Sequence, residues 1–315
     1  MARLIVRRLL LLVPSLLLLS VVVFLMLEVV PGDPGRVKLG PYASASQVAQ
    51  VDHQLGVDRP LPVRYVRWLG GFLVLRWGTS WNLNVPVFSL TMQRLWNSIQ
   101  LALVALLIII PVAVTLGVIA ALRRDSVADR VITVSTLSLT VVPEFVSGVV
   151  LTVLFVVFLK VFHYPATPPA GADPLTRIYY LLLPAIPLMF VEMGYIARMA
   201  RAGMIEALSM PYIRTATLNG LPRRRVVFGH ALRNALAPTI AVIGTQIGWL
   251  VGGLVIVETL FVYPGIGYLI YNSATLKDFP VLEATVLVVA VIYMLSNLGA
   301  DVLVALLNPR VRFGR

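Results

Sequence analysis

Residues Glu206 to Pro238 read EALSMPYIRTATLNGLPRRRVVFGHALRNALAP, a polar, arginine-rich stretch set between apolar runs that have to lie in lipid. Seven arginines fall between Arg198 and Arg233, and Pro211, Gly220 and Pro222 divide the stretch into short pieces. Glu206 to Leu218 is predicted to form a short helix, with Gly220 placed to close it in the left-handed conformation that glycine adopts without penalty. Leu221 and Pro222 follow, and a second helix start runs into Val226, Val227 and Phe228. An exposed short helix at a membrane surface is a handle for a soluble partner, which takes it into a groove. Arg223, Arg224 and Arg225 are accounted for by membrane topology and by contact with anionic lipid.

The rest of the chain explains why that stretch stands out. Of 315 residues, 59% are hydrophobic and 13% charged, with a mean hydropathy of +0.90; soluble domains carry a charged fraction of about 25%. This is the composition of an integral membrane protein. The net charge of +12 has no polar domain to gather on, which argues against a nucleic-acid binder. With no cysteine, disulfides, thiolate metal sites and thiol catalysis are excluded. His53, His163 and His230 are too scattered for a metal site, and no phosphate-binding loop or hydrolase motif is present. Leu9 to Leu27 is uncharged over 19 residues and lacks a following cleavage signature, so it reads as a retained span and not as a signal peptide.

Six segments are long enough to cross a hydrocarbon core: 9–30, 98–122, 131–159, 179–199, 236–261 and 281–307. With the N-terminus inside, sixteen of the 26 basic residues fall in inner segments and three in the short outer loops. The remaining seven sit in one long outer loop, which the positive-inside rule largely exempts. The expectation is an all-α polytopic protein with both termini cytosolic. Its parts are residues 1–30 (N-terminus and first span), 31–97 (outer loop), 98–307 (five-helix core with the cytosolic loop 200–235) and 308–315 (tail). The outer loop holds a capped helix from about Ser46 and the tryptophans Trp68, Trp77, Trp81 and Trp96, whose rings suit the membrane interface. Pro264-Gly265-Ile266-Gly267 and the mildly apolar run after it suggest a short interfacial or re-entrant element.

Within the spans, Glu144 and Glu192 are costly in lipid and are candidates for a translocation path, joined by Gln246 and Trp249. A structural pairing with a polar neighbour accounts for the two acids equally well. Gly244, Gly248 and Gly252 recur at four-residue spacing, a pattern that admits close helix packing within the chain or across a dimer seam. Three functions from different classes fit these features: a permease powered by a partner ATPase, an ion-coupled transporter using Glu144 and Glu192, and an assembly protein built on the glycine face.

The stretch YIRTATLNGLPRRRVVFGHALRNALAP resembles the cytosolic loop of ABC importer permeases of the dipeptide/oligopeptide/nickel group. The resemblance extends to PGDP at 31–34, LGVDRPL at 55–61, AALRR at 120–124, ARMAR at 197–201, VETLFVYPGIG at 257–267 and NPRVR at 308–312, and to the Arg-Arg start. It implies a type I importer permease fold and a place in the bacterial inner membrane. The implied partners are a second homologous permease, two ATPase subunits that bind ATP and magnesium, and an extracytoplasmic solute-binding protein. No cofactor is implied in this chain itself. Carried across by position, the ATPase-coupling residues are Glu206, Tyr212, Ile213, Arg214, Thr215, Ala216, Gly220, His230 and Leu232, with Asn219 where the family has a lysine. Peptides lead as the implied substrate, with nickel chelates, glutathione and oligosaccharides as alternatives. Glu144 and Glu192 stand where the family has small or apolar residues.

Overall fold

The computed structural model describes residues 2–29, 34–56 and 58–307, without the side chains of 2–9, 27–29, 249, 251–252 and 304–307. The motif residues Pro31 to Asp33 and 308–312 lie outside the described residues, as do the side chains of Trp249 and Gly252. The helices are α1 (Ala2–Val29), α2 (Pro34–Leu39), α3 (Ala45–Leu55), α4 (Leu61–Leu73), α5 (Val87–Leu122), α6 (Val127–Val141) and α7 (Glu144–Thr152). They continue with α8 (Pro174–Ser209), α9 (Pro211–Leu218), α10 (Arg223–Arg225), α11 (Leu232–Leu260), α12 (Ile266–Thr275) and α13 (Phe279–Leu307). π-Helical turns over Val153–Phe158 and Val226–Ala231 extend α7 and lead into α11. No β-strand forms among the described residues.

Among the described residues, four segments are long and apolar enough to cross a membrane: Val87–Leu122, Pro174–Ser209, Arg223–Gly248 and Phe279–Leu303. A fifth is reached if α6 and α7 count as one span. That pair departs from the continuous 131–159 span expected from the sequence, because the chain bends by 99° between the two helices. Pro143 causes the bend: it has no amide hydrogen to donate and biases Val142 to an extended conformation (φ −69°, ψ 122°). In α1 the apolar stretch among residues with described side chains, Leu10–Met26, falls short of the crossing length.

The chain divides into two compact units, and the divisions fall inside α1, α5 and α13 and between Tyr263 and Pro264. One gathers Ile99–Tyr263 and the chain from Tyr293 onward. Its centre is α8, against which α6, α7 and α11 pack. The core here is Leu101, Ile109, Leu183, Leu188, Ile196, Leu254, Val257 and Phe261 with their neighbours, all buried. Pro184 and Pro187 lie inside α8, and a hydroxyl from α6 reinforces the helix one turn further on. Thr140 Oγ1 accepts from the Gly194 amide at 3.0 Å and donates to the Phe190 carbonyl at 3.3 Å. Such a bridge satisfies backbone groups where lipid offers no water to do so. The glycine face of α11 packs within the chain: a methyl at Gly244 would come within 3.1 Å of Ala300, and one at Gly248 within 3.2 Å of Asn297, both on α13. That favours the intramolecular reading of the glycine repeat.

At one end of this unit the loop between α5 and α6 is clamped to α8. Asp129 forms a two-pronged ion pair with Arg201, Nε to Oδ1 and Nη2 to Oδ2, each at 2.6 Å. The same carboxylate accepts from the Asp125 amide at 3.0 Å, so it also closes the loop.

The second unit comprises Val6–Ser98 and Pro264–Ile292. A series of ring contacts runs from Phe24 on α1 through Tyr65, Trp68 and Phe72 on α4 to Trp77 and Phe88, with Phe72 and Trp77 stacked 4.8 Å apart. Trp68 and Trp77 are therefore half-buried against protein, whereas Trp96 is exposed. The capped helix is α3, and its cap is Ser44, two residues before the expected start; Gln47 completes the capping box. Asp278 is the polar hub, accepting from Ser80 Oγ at 2.5 Å and from the amides of Trp81 and Asn82 at 3.1 and 3.2 Å. Arg94 and Asn97 donate to the Pro264 carbonyl, and the Ile266 amide donates to Ser98 Oγ, which anchors the PGIG turn to the start of α5.

Replacing Asp129 by Asn leaves the Arg201 guanidinium without its charged partner. Breaking one side of such a buried pair costs about 3 kcal/mol. The expected outcome is a lower unfolding midpoint for the full chain in detergent, with little further loss when Arg201→Gln is added. A midpoint unchanged by Asp129→Asn would refute the clamp.

Candidate functional site

The corner between α8 and α11 is built from the stretch that dominates the sequence. Met210 ends α8 and begins α9 in an extended conformation (φ −70°, ψ 145°), and Pro211 follows at the first helical position, where its missing amide hydrogen costs nothing. The short helix therefore starts at Pro211 and not at Glu206. Glu206 belongs to the last turns of α8, which continues ten residues beyond the expected end at Met199.

At its other end α9 closes as a Schellman motif. The Gly220 amide donates to the Thr217 carbonyl at 3.0 Å and the Leu221 amide to the Ala216 carbonyl at 3.3 Å, with Gly220 at φ +75°. Leu221 then folds back on the same apolar cluster that holds Ala216. Gly220 thus acts as the predicted stop. A β-branched residue at that φ would add strain of about 1–2 kcal/mol.

Within α9 the residues carried across from the family separate by face. Ile213 and Ala216, one turn apart, are buried against Met204, Ala207, Val226, Val227, Ala231 and Ala235. They anchor the helix and are not available to a partner. Tyr212, Arg214, Thr215 and Gly220 are exposed, as is Leu218, at 78%. His230 lies exposed on the π-helical turn and Leu232 is half-buried at the start of α11. Phe228, which the motif did not single out, is 59% exposed on that turn. Arg223, Arg224 and Arg225 are exposed.

Behind α9 lies an open cavity of about 660 Å³, lined among others by Met199, Glu206, Met210, Tyr212, Asn234 and Pro238. Asn234 Nδ2 donates to Tyr212 Oη at 2.9 Å, tying α9 to α11 across its rim. Gly203 lets α8 approach the Ala235 carbonyl of α11 so closely that a methyl group there would collide with it. The short helix is therefore seated on two long helices at once.

The acids proposed for a path converge on the same pair of helices. Gln246 Nε2 on α11 donates to Glu192 Oε2 on α8 at 2.7 Å, and Glu192 is 2% exposed. The Glu144 carboxylate rests against Gly253 of α11, where any side chain would displace it. The structure thus joins Glu192 to Gln246 and seats Glu144 on Gly253, about two turns further along α11. Glu192 is enclosed by protein here. Trp249 cannot be placed in the cluster, since its side chain is outside the described residues.

Sequence reading missed three acids. Glu258 is fully buried near the end of α11, Asp129 forms the clamp to Arg201, and Asp278 holds the outer loop together. The one local signal for Asp129 was its place two residues inside a helix that Ser126 caps.

Comparison with known proteins agrees with this architecture. Residues 113–313 match the family described as binding-protein-dependent transport system inner membrane component, and residues 1–102 match the N-terminal region of such membrane components. The chain is 33% identical to a probable peptide ABC transporter permease, y4tP, of Sinorhizobium fredii, over 98% of this chain and 99% of that protein. It is 35% identical to the oligopeptide transport system permease AppB of Bacillus subtilis, over 99% and 100%. It is also 35% identical to the glutathione transport system permease GsiC of Salmonella paratyphi A, over 98% of each. With the apolar helices and the seated short helix already described, these matches place the chain among the binding-protein-dependent inner-membrane components, as a multi-pass permease subunit of an ABC importer that conducts and does not catalyse.

Proposed function

We propose that this permease carries peptides, delivered by an extracytoplasmic solute-binding protein, through a path it forms with a second homologous permease. Binding-protein dependence implies the delivering protein and an ATPase. Two ATPase subunits, holding ATP and magnesium, supply the energy, in keeping with a chain that lacks a phosphate-binding loop. Six spans with both termini in the cytosol put α9 on the ATPase side, in line with the seven arginines from Arg198 to Arg233. Peptide as cargo is supported by the relatives named for peptide, oligopeptide and glutathione transport.

The observation that carries the mechanism is the way α9 is held. Two inward side chains, the Tyr212–Asn234 hydrogen bond and a glycine stop make it a rigid projection, and Arg214, Thr215 and Leu218 face outward for a groove on the ATPase, with Tyr212 at its edge. Closing the ATPase pair on ATP moves α9 as a lever. Because it is seated on both α8 and α11, the displacement re-tilts these two helices together and switches the path between inward and outward access. Glu192 and Gln246 link the same two helices at depth, and we assign them, with Glu144, to the wall of that path. An acid there favours cationic cargo.

Two tests follow. Gly220→Val strains the stop and re-aims Leu218, so ATP-driven uptake in vesicles should fall at least tenfold while the complex still assembles; undiminished uptake would sink the lever. Glu192→Gln should narrow the preference for cationic over neutral peptides, measured as the ratio of their uptake rates. An unchanged ratio and rate would remove Glu192 from the path. Uptake by the purified chain alone on a proton gradient would instead establish ion coupling.

A further inference from the structure

A second cavity lies in the other compact unit, away from α9. Its volume is about 370 Å³, and it is bounded by α4, the segment after it and the first turn of α13. Trp68, Trp77 and Trp81 line it, together with Lys38, Arg67 and Arg76. Trp77 is fixed in place by its stack on Phe72 and by a 3.0 Å hydrogen bond from Nε1 to the Phe72 carbonyl. Glu283 is the one acid on the wall, so three cations face a single carboxylate. Among the described residues, Lys38, Arg67 and Arg76 enter no ion pair. Preformed, cationic and ring-walled, the cavity has the chemistry of a phosphate-diester site.

The turn beside it says which phosphate diester. Leu73, Val74 and Leu75 are 73, 62 and 58% exposed, three consecutive apolar residues at the end of α4. Leu75 sits at φ +59°, where its amide donates to the Phe72 carbonyl and the next amide, of Arg76, donates to the Gly71 carbonyl. This is the same stop that closes α9, but with leucine where glycine is unstrained. A strained leucine aimed outward is a poor choice for a surface in water and a good one for a surface in lipid. The cationic rim and the apolar tip are adjacent in sequence, at Arg76 and Leu75, so a ligand with an anionic head and an apolar tail meets both.

We infer that this cavity binds the headgroup of an anionic phospholipid, with Lys38, Arg67 and Arg76 on the phosphate and Leu73 to Leu75 among the acyl chains. The site is independent of the transport reading. It fixes the outer-loop unit to the bilayer at a set depth.

The test uses the full-length chain in detergent micelles, titrated with dioctanoyl phosphatidylglycerol and dioctanoyl phosphatidylcholine and read by native mass spectrometry. The anionic lipid should bind at least tenfold more tightly. Lys38→Gln, Arg67→Gln and Arg76→Gln should each weaken it about fivefold, while Arg76→Lys keeps the preference. Equal binding of the two lipids, or no loss in the triple variant, would overturn the proposal. So would binding of inorganic phosphate or of glycerophosphoglycerol as tightly as the lipid, which would make the site one for a soluble anion. Because the chain has no cysteine, Val74→Cys can carry a single nitroxide. In vesicles containing phosphatidylglycerol it should collide more often with oxygen than with a water-soluble nickel chelate. The reverse order would put the tip in water, facing a soluble partner, and would also overturn the assignment.

Discussion

A chain in hydrocarbon has to satisfy its own backbone, because no water is present to do it. That constraint organises the permease. Helices meet it along most of the chain, and each place where a helix is interrupted shows a specific repair. In α8, a turn beyond Pro187, the Thr140 hydroxyl of α6 bridges two backbone groups. After α7, the Ala166 amide donates to the Phe261 carbonyl and the Thr167 hydroxyl to that of Val262, which satisfies the frayed end of α11. Where α9 stops, two amides turn back on its last carbonyls.

The polar interior follows a related rule. Charges removed from water have to find partners, and the partners lie far away in sequence. Asp129 reaches Arg201, 72 residues on, and Asp278 gathers donors almost 200 residues earlier in the chain. Each pairing ties a loop to a distant helix. The ion pair holds the α5–α6 connection to α8 just before α8 reaches the corner that carries α9. The short helix is firm because what it stands on is firm.

Sequence was informative where the cause was local. Gly220 announced its left-handed turn, since the freedom of φ that the turn needs belongs to that residue alone. The start of α9 was misjudged by five residues because Glu206 to Ser209 simply continue α8; the break comes at Met210, which Pro211 biases to an extended conformation, a local signal that the reading passed over. The division of α9 into Ile213 and Ala216 inside and Arg214 and Leu218 outside was not legible, since an eight-residue helix is too short for its period to name a face. Asp129 and Asp278 were missed for a different reason. Their partners are set by tertiary folding, and a lone aspartate near a loop carries no mark of them. Glu144 and Glu192 were noticed because acids are rare at that depth, but only the structure shows that Gln246 answers one of them.

The seating of α9 by two side chains has a consequence for how such transporters diversify. The requirements of folding fall on Ile213, Ala216 and Gly220, and with α9 docking an ATPase as proposed, those of recognition fall on the residues between them. The two sets share a helix without sharing a position. Drift at Thr215, Leu218 or Asn219 can therefore change which motor protein the permease accepts while the membrane domain keeps its fold. A lineage that duplicates its transporters can re-pair them by editing a surface of a few residues, one motor serving several permeases or each permease acquiring its own.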